Sequence, residues 1–356
     1  MATRITLKDI AAKCGCTVAT VSRALRNRTE IPETTRKRIQ EVAKQIGYVP
    51  DPAMSALVEH RRGMRKAGYL ENLALISPGL SLAESQRMPH RMALIDAIRA
   101  RASELGYQVD FFYLPWNTAK QKEMSRMLKR RNIRGLIFLP SDPPAEEASF
   151  GWEDFASIRI YRPPLQPCIS SVDTDVYQGI YLMMDRVLAA GCRRPGLVIQ
   201  KLVSRNTAGI WPRYLNMVVA EHAGLSSVPS FEFDGDITTR GNRTVFMDWI
   251  QSCKPDVVLA FSAPNVAKVL QESGYAIPDD IGLVDLDIND VAEESALAGL
   301  FQSRTAIGWS AVDQLHGLLL TNTMGLPTYP STLKMAFRWV DGNSLRRIAP
   351  SGKQAV

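Results

Sequence analysis

Thr17-Val18-Ala19-Thr20-Val21-Ser22-Arg23-Ala24-Leu25 is the stretch whose reading decides how this chain folds and works. The spacing predicts a short helix. Thr17 stands where an N-cap belongs, so its hydroxyl takes a free backbone N–H. Val21 and Leu25 share a face at i, i+4 and anchor to a small core. Val18, Ala19, Ser22 and Arg23 then point outward. A helix N-terminus presenting methyl groups, a hydroxyl and a guanidinium suits base edges and phosphates in a DNA groove. An ordinary amphipathic helix of a small bundle has the same pattern in isolation, so the neighbouring residues decide. Thr6-Leu7-Lys8-Asp9 opens an earlier helix with capping-box spacing, Asp standing for the usual Glu. Gly15-Cys16 makes the turn between the two, which is helix-turn-helix order. A third helix follows from Ile39, Val42, Ala43 and Ile46, with Gly47 at its C-terminal end. Its early part carries Arg36, Lys37 and Arg38 within reach of phosphates. Ile10, Ala11, Val21, Leu25, Ile39 and Val42 are expected to close the core.

Charge supports this reading. The chain has 356 residues and a formal net charge of +7. Residues 1–68 hold 14 Lys+Arg and 6 Asp+Glu; the other 288 hold 29 and 30. A basic head on a nearly neutral body fits a polyanion-binding module joined to a separate regulatory or catalytic domain. Five scattered cysteines argue against a disulfide framework and for a reducing compartment. Cys14-Gly15-Cys16 lacks a second Cys or His pair nearby, so no metal site is expected. Neither an apolar leader nor a membrane-length apolar run is visible, so a cytoplasmic protein is expected.

Beyond the head, Tyr48-Val49-Pro50-Asp51-Pro52-Ala53-Met54-Ser55-Ala56-Leu57-Val58 holds a cap at Asp51 and a proline at N1. A helix of barely two turns is marginal alone and needs a partner. Residues 1–60 resemble the DNA-binding headpiece and hinge of the lactose-repressor (LacI/GalR) family of transcription regulators. The carrying motifs are Thr6-Leu7-Lys8-Asp9-Ile10-Ala11, Thr17 through Leu25, Glu33-Thr34-Thr35-Arg36 and Ile46-Gly47-Tyr48-Val49-Pro50. The resemblance implies that Val18, Ala19 and Arg23 read bases. It implies DNA contacts at Thr6, Thr17, Thr20, Ser22, Asn27 and Met54 as well. It makes Leu57 a minor-groove wedge that two hinge helices push together. Val18 and Ala19 offer no side-chain hydrogen bonds, so thymine methyls are their expected partners and Arg23 carries hydrogen-bonded readout. Asp51 stands where the family has a neutral residue, which places a negative charge near phosphates. Arg61, Arg62, Arg65 and Lys66 form a basic linker.

From Leu73 the pattern alternates short apolar runs with helical ones: a strand at 73–77, a helix through Met92, Ile95, Ile98 and Ala102, strands at 109–114 and 135–139, a charged helix at 119–131 and further strands near 158–161, 168–172, 196–199, 230–233, 257–261 and 282–286. Such alternation implies parallel α/β sheets wound on both faces. This part is similar to the family's effector domain, which is periplasmic-binding-protein-like and two-lobed. The markers include Arg134-Gly135-Leu136-Ile137, Ile277-Pro278-Asp279-Asp280-Ile281, Ala306-Ile307-Gly308 and Trp339-Val340-Asp341-Gly342. The resemblance implies three crossings between lobes, near 163–171, 287–291 and 321–325. The expected domains are a headpiece at 1–49, hinge and linker at 50–70, a two-lobed body at 71–345 and a tail at 346–356. The N-lobe is expected at about 71–165 plus 291–322, the C-lobe at about 166–290 plus 323–345.

A ligand of such sheets sits outside the carboxyl ends of the strands. Arg213 and Asp287 match positions that contact effector in the family; Arg offers a donor fork and Asp accepts from hydroxyls. His90 and Arg91 are expected at the cleft edge. Trp116 and Trp211 are candidates for an aromatic wall against a sugar face, with core packing the alternative. Asn265 completes the set. The implied protein is a homodimeric regulator, a repressor by resemblance, that binds a near-palindromic duplex under control of a sugar-like effector, without catalytic residues, cofactor or membrane partner. An enzyme fused to a nucleic-acid module is disfavoured, because no phosphate loop, nucleophile elbow or metal cluster is visible and the four histidines are scattered. A stand-alone solute-binding protein does not explain the basic head.

Overall fold

The structure is a computed structural model and describes residues 5–25, 30–48, 71–115, 117–140, 150–161, 168–226, 228–290 and 296–346. The head is three helices: α1 (Leu7–Cys14), α2 (Val18–Leu25) and α3 (Glu33–Gln45). The Thr6 backbone N–H and hydroxyl both donate to the Asp9 carboxylate at 2.7 Å, the reciprocal cap that the motif predicts. That bonding holds the Asp9 carboxyl below its ordinary pKa. Gly15 takes a left-handed conformation (φ 62°) that lets α1 stop and α2 start at Val18. At the end of α3, Tyr48 N–H bonds Ala43 C=O and Gly47 N–H bonds Lys44 C=O, the paired bonds of a glycine-stopped helix. Ile10, Val21, Ala24 and Ile39 are fully buried, with Leu25 and Val42 packed beside them. Of the six expected core residues Ile10, Ala11, Val21 and Ile39 are buried and Leu25 and Val42 partly so, and Cys14, Ala24 and Ala43 join them.

The body holds two six-stranded sheets. In the first the order is β11-β5-β4-β3-β1-β2, all parallel, from β1 (Glu71–Pro78), β2 (Tyr107–Leu114), β3 (Gly135–Phe138), β4 (Ala156–Ile160), β5 (Ser171–Thr174) and β11 (Thr332–Met335). Along β1, Leu73 and Leu75 turn to one face and Ala74 and Ile76 to the other, and all are buried. A sheet covered on both sides needs such a continuous apolar run. One cover is α5 (Pro89–Glu104) with α12 (Arg304–Thr321), through Leu94, Ile98, Val312 and Leu315. The opposite cover is α6 (Thr118–Arg130) and the rings of Phe150, Trp152 and Phe155. A four-residue helix, α4 (Leu82–Ser85), follows β1.

The second sheet runs β12-β10-β9-β8-β6-β7, with only β12 antiparallel. Its strands are β6 (Pro195–Gln200), β7 (Phe231–Phe233), β8 (Val257–Ala260), β9 (Gly282–Ile288), β10 (Ala298–Phe301) and β12 (Arg338–Val340). On one face lie α7 (Val176–Ala189) and α9 (Ile210–Glu221), preceded by the short α8 (Lys201–Asn206); on the other lie α10 (Arg240–Cys253) and α11 (Ala263–Glu272).

Three crossings join the lobes, at positions later than expected. The chain leaves the first lobe between Thr174 and Val176, returns between Phe301 and Arg304, and leaves again between Met335 and Arg338. The first lobe therefore draws its described residues from 71–174 and 304–335, and the second from 176–301 and 338–346. The physical reason is pairing over long range. β5 stays with the first sheet because Arg159 and Ile160 of β4 pair with Ser171 and Val172. β11, whose Lys334 and Leu333 are exposed, has no strand-like hydropathy and is held by its register with β5. The last strand, β12, is likewise set by its antiparallel pairing with β10.

Candidate nucleic-acid interface and effector cleft

The α2 helix is set firmly on the head. The Thr17 hydroxyl accepts from Thr20 N–H at 3.1 Å and lies 2.9 Å from the Thr20 hydroxyl. Gln40 Nε2 donates to the Ala24 carbonyl at 3.2 Å, tying the far end of α2 to α3. With Val21 and Ala24 at 0% exposure, the opposite face is left to solvent. Thr17, Val18, Ala19 and Arg23 are exposed there, and Thr20 and Ser22 are half-buried. Thr6 is exposed at the mouth of α1 with its hydroxyl engaged by Asp9. One expectation changes. Arg38 donates to the Cys14 carbonyl at 3.1 Å, bracing α3 against the turn between α1 and α2, so its first role is structural. Lys37 pairs with Glu33 on the surface at 2.7 Å. Asn27, Met54 and Leu57, like Asp51, lie outside the described residues.

The second site is built at the carboxyl ends of the strands, at the joint between lobes. Arg304, the first residue of α12, is 7% exposed. It donates through Nη2 to Asp287 Oδ1 at 2.6 Å, and through Nη1 to the Tyr161 hydroxyl and to Gln302 Oε1. Its guanidinium also lies 5.7 Å from the centre of the Tyr161 ring. Asp287 belongs to β9 of the second lobe, whereas Tyr161 follows β4 and Arg304 opens a helix of the first. The ion pair thus spans the lobes. Burial acts against the guanidinium's charge, but Tyr161 and Asp287 outweigh it and raise its pKa. Burial also pushes the Tyr161 phenol up to about 12, so it stays a neutral hydroxyl.

Arg304 and Tyr161 were absent from the expected site. A signal for Arg304 does exist in the sequence. Ser303 caps α12, accepting from Ala306 N–H at 3.0 Å, which puts a cation at the positive end of a helix dipole. A cation in that position needs an anion close by, and Asp287 supplies it. Tyr161 carries no comparable signal; its left-handed backbone (φ 57°) aims it from the end of β4.

The expected cleft residues separate into three groups. Asp287 and His90 come together: both Arg304 and Asp287 act electrostatically on the His90 ring. Much of His90 is open, yet the surrounding walls desolvate the ring, and this, followed by the Arg304 charge, lowers its pKa. Arg213 is exposed, with no hydrogen bond or ion pair of its side chain among the described residues. Asn265 is exposed on the first turn of α11. Two residues depart from expectation. Arg91 turns inward, 6% exposed, and donates to Ser85 Oγ (3.0 Å), Ser77 Oγ (2.9 Å) and the Pro140 carbonyl (2.9 Å). Its fork clamps the loops after β1 and β3 together rather than facing a ligand. Trp211, 4% exposed, packs edge-on to Phe261 and Phe337 at 5.1 and 6.0 Å, so it is core and not a wall. Trp116 lies outside the described residues.

Asp285, two residues before Asp287, is a further carboxylate at only 6% exposure. It accepts from Asp287 N–H at 3.0 Å, but burial dominates and raises its pKa from 3.8 to about 6. Among the described residues no group of three or more His, Cys, Asp or Glu could hold a metal ion, and no helix is long and apolar enough to cross a membrane.

Two outcomes follow from these groups. A carboxyl whose pKa is higher folded than unfolded binds its proton more tightly in the folded state. Its contribution is therefore lost as pH rises from about 4 to about 6, by about 3 kcal/mol for the two-unit shift. Asp285→Asn should remove that slope from unfolding curves and stabilise the protein at pH 7; an unchanged slope refutes the buried titration. Arg304→Met should destabilise by about 2–3 kcal/mol, because it strands Asp287, and adding Asp287→Leu should restore most of the loss. Simple additivity of the two changes in denaturant unfolding would show that the pair is not coupled.

Known proteins resemble this arrangement in both parts. Residues 6–51 match the family model described as bacterial regulatory proteins, lacI family. Over 303 residues the chain is 24% identical to the HTH-type transcriptional regulator DegA of Bacillus subtilis (strain 168), covering 82% of this chain and 84% of that one. It is 23% identical over 320 residues to the HTH-type transcriptional repressor PurR of Edwardsiella ictaluri (strain 93-146), covering 87% and 89%. Among solved structures, a complex of the transcriptional regulator CelR with cellobiose superposes with TM-score 0.58 at 19% identity, covering 96% of this chain and 100% of that one. The lac repressor dimer bound to operator and the anti-inducer ONPF gives 0.57 at 18%, covering 97% and 100%. The lacI-family model thus matches the capped helix-turn-helix at residues 6–51, and along nearly its whole length the chain is similar to HTH-type transcriptional regulators and to the fold of the lac repressor.

Proposed function

We propose that this chain is a homodimeric transcriptional repressor whose grip on DNA is set by a small molecule held between the lobes. The observation that carries the reading is the outward face of α2, where Thr17, Val18, Ala19 and Arg23 stand exposed on a head braced from behind. Paired heads would read a near-palindromic site. Val18 and Ala19 would meet thymine methyls, Arg23 a guanine edge or phosphate, and Thr6, Thr17, Thr20, Ser22 and Asn27 the backbone. Residues 1–49 form the head, 50–70 the hinge and linker with Met54 and Leu57 in the minor groove, and 71 to about 345 the sensor.

In the cleft, Asp287, His90, Arg213 and Asn265 would hold the effector. Asp287 keeps one carboxylate oxygen on Arg304, leaving the other to accept from a ligand hydroxyl. A sugar-like ligand suits these donors and acceptors, and relatives of this fold are seen with cellobiose and, in another lacI-family regulator, glucose. Such a ligand regulates only if it binds the open and closed lobe arrangements unequally. The protein would act in the cytoplasm by binding alone, with no chemical step.

Selection of duplexes from a random library by the full-length protein tests the reading. It should return a near-palindrome, with affinity that falls steeply as salt rises. Arg23→Ala should weaken binding to that duplex by about 10- to 100-fold and relax selection at one position in each half. Recovery of random sequence only would refute the function. A thermal-shift screen of sugars and sugar acids should then find a ligand that changes duplex affinity, and Asp287→Ala should lose that response while still binding DNA. Retention of the response would remove Asp287 from the site.

A further inference from the structure

Within residues 69–356 an excess of positive charge is gathered on one helix. Residues 118–134 hold seven Lys or Arg and one Glu, while the rest of residues 69–356 hold 22 Lys+Arg and 29 Asp+Glu. This segment is α6 and the turn that follows it. Its inner face is secured: Gln121, Ser125 and Leu128 are buried, Gln121 Nε2 donates to the Pro115 carbonyl at 3.0 Å, and Ser125 Oγ accepts from Gly151 N–H at 3.1 Å. The outer face carries Lys120, Lys122, Arg126, Arg130 and Arg131, all exposed, with Glu123 the one acidic side chain of the helix beside them. None of these five has a carboxylate partner among the described residues; Lys129 alone pairs, with Asp154 at 2.7 Å. Lys122, Arg126 and Arg130 follow one another at i, i+4, i+8, a column about 12 Å long.

A solvated helix face ordinarily interleaves signs, since like charges at i, i+4 destabilise a helix and opposite ones support it. Here the column repeats one sign twice over. Its position is equally specific. α6 runs into β3, whose Gly135 pairs with Leu73 of β1. Arg134, in the connecting turn, lies 4.0 Å from Glu71, the first residue of β1. The basic helix therefore ends at the side of the first lobe where the chain arrives from the DNA-binding head. From Tyr48 to Glu71 the tether spans at most about 80 Å, so the lobe stays near any duplex that the head holds.

We propose that the outer face of α6 is a second DNA-contacting surface, which binds the phosphates of duplex flanking the sequence read by the head. This rests on the function proposed above. Duplex DNA is the occupant that the charge favours: over 12 Å of axis it presents about seven phosphates, against which a column of lysine and arginine releases counterions. The contact carries no sequence information. It adds affinity and a steeper salt dependence to a site whose sequence is chosen elsewhere.

The test uses full-length protein and the duplex that it selects from a random library, once as the bare core and once with 20-bp arms on each side. For the wild type the arms should raise affinity about tenfold at low salt and steepen log K against log salt by about one unit for each phosphate contacted. The triple variant Lys122→Gln, Arg126→Gln, Arg130→Gln should lose both effects of the arms yet bind the bare core as the wild type does. The charge-keeping variant Lys122→Arg, Arg126→Lys, Arg130→Lys should retain them, which separates charge from folding. If the arms have no effect on the wild type, or the triple variant responds to them normally, the inference is overturned, and an acidic protein becomes the better occupant. Equal loss on both duplexes also overturns it, since the column would then act through the head. If the wild type selects no duplex at all, the proposed function fails first and this inference with it.

Discussion

The joint between the lobes turns on one buried cation. Arg304 gives up its hydration at the positive end of a helix, which is the least favourable place for it. Only the acceptors converging from both lobes make that position tenable: Asp287 from the second, Tyr161 from the first, and Gln302 from the crossing itself. An interaction with so large a desolvation cost tolerates little displacement. The relative position of β9 and α12 is therefore coupled to the state of a single carboxylate. Under the proposed function, Asp287 would also meet the ligand, so that occupancy of the cleft and alignment of the lobes would act on the same carboxylate.

Around that joint the charges are unevenly matched. Asp285 lies two residues upstream, buried and with its pKa raised, and His90 faces the pair from α5 with its pKa lowered. Both shifts arise first from desolvation. At pH 7 the Arg304–Asp287 pair cancels its own charge and the imidazole is neutral, while Asp285, with a pKa of about 6, is mostly ionised. Arg213 and Asn265 are exposed on helices of the second lobe. The head is organised by the opposite rule. Its core is small and local, its polar ends are capped within three residues, and its charge is left in water to meet a polyanion.

Legibility followed range of interaction. The three head helices, their caps at Thr6 and Thr17 and the glycine stop at Gly47 could be read from adjacent residues, because capping and i, i+4 burial are local. Strands such as β1, β6 and β8 were equally plain, since burial on both faces demands apolar runs. β11 and β12 were not, because their residues are half-exposed and register alone holds them. Trp211 and Arg91 show the same limit among side chains. An aromatic or a guanidinium near a strand end suits a cleft wall, a core or a clamp equally well, and only the neighbours folded onto it decide.

What the linear chain determined by itself was the kind of machine: a capped helix-turn-helix bearing the excess charge, followed by doubly wound α/β texture. Each of those features is set by residues within a few positions of one another. What only the folded molecule decided was where the lobes exchange chain, and that Arg304 of one lobe closes on Asp287 of the other. Those depend on pairings between residues far apart in sequence, whose partners no local pattern of hydropathy or charge can specify.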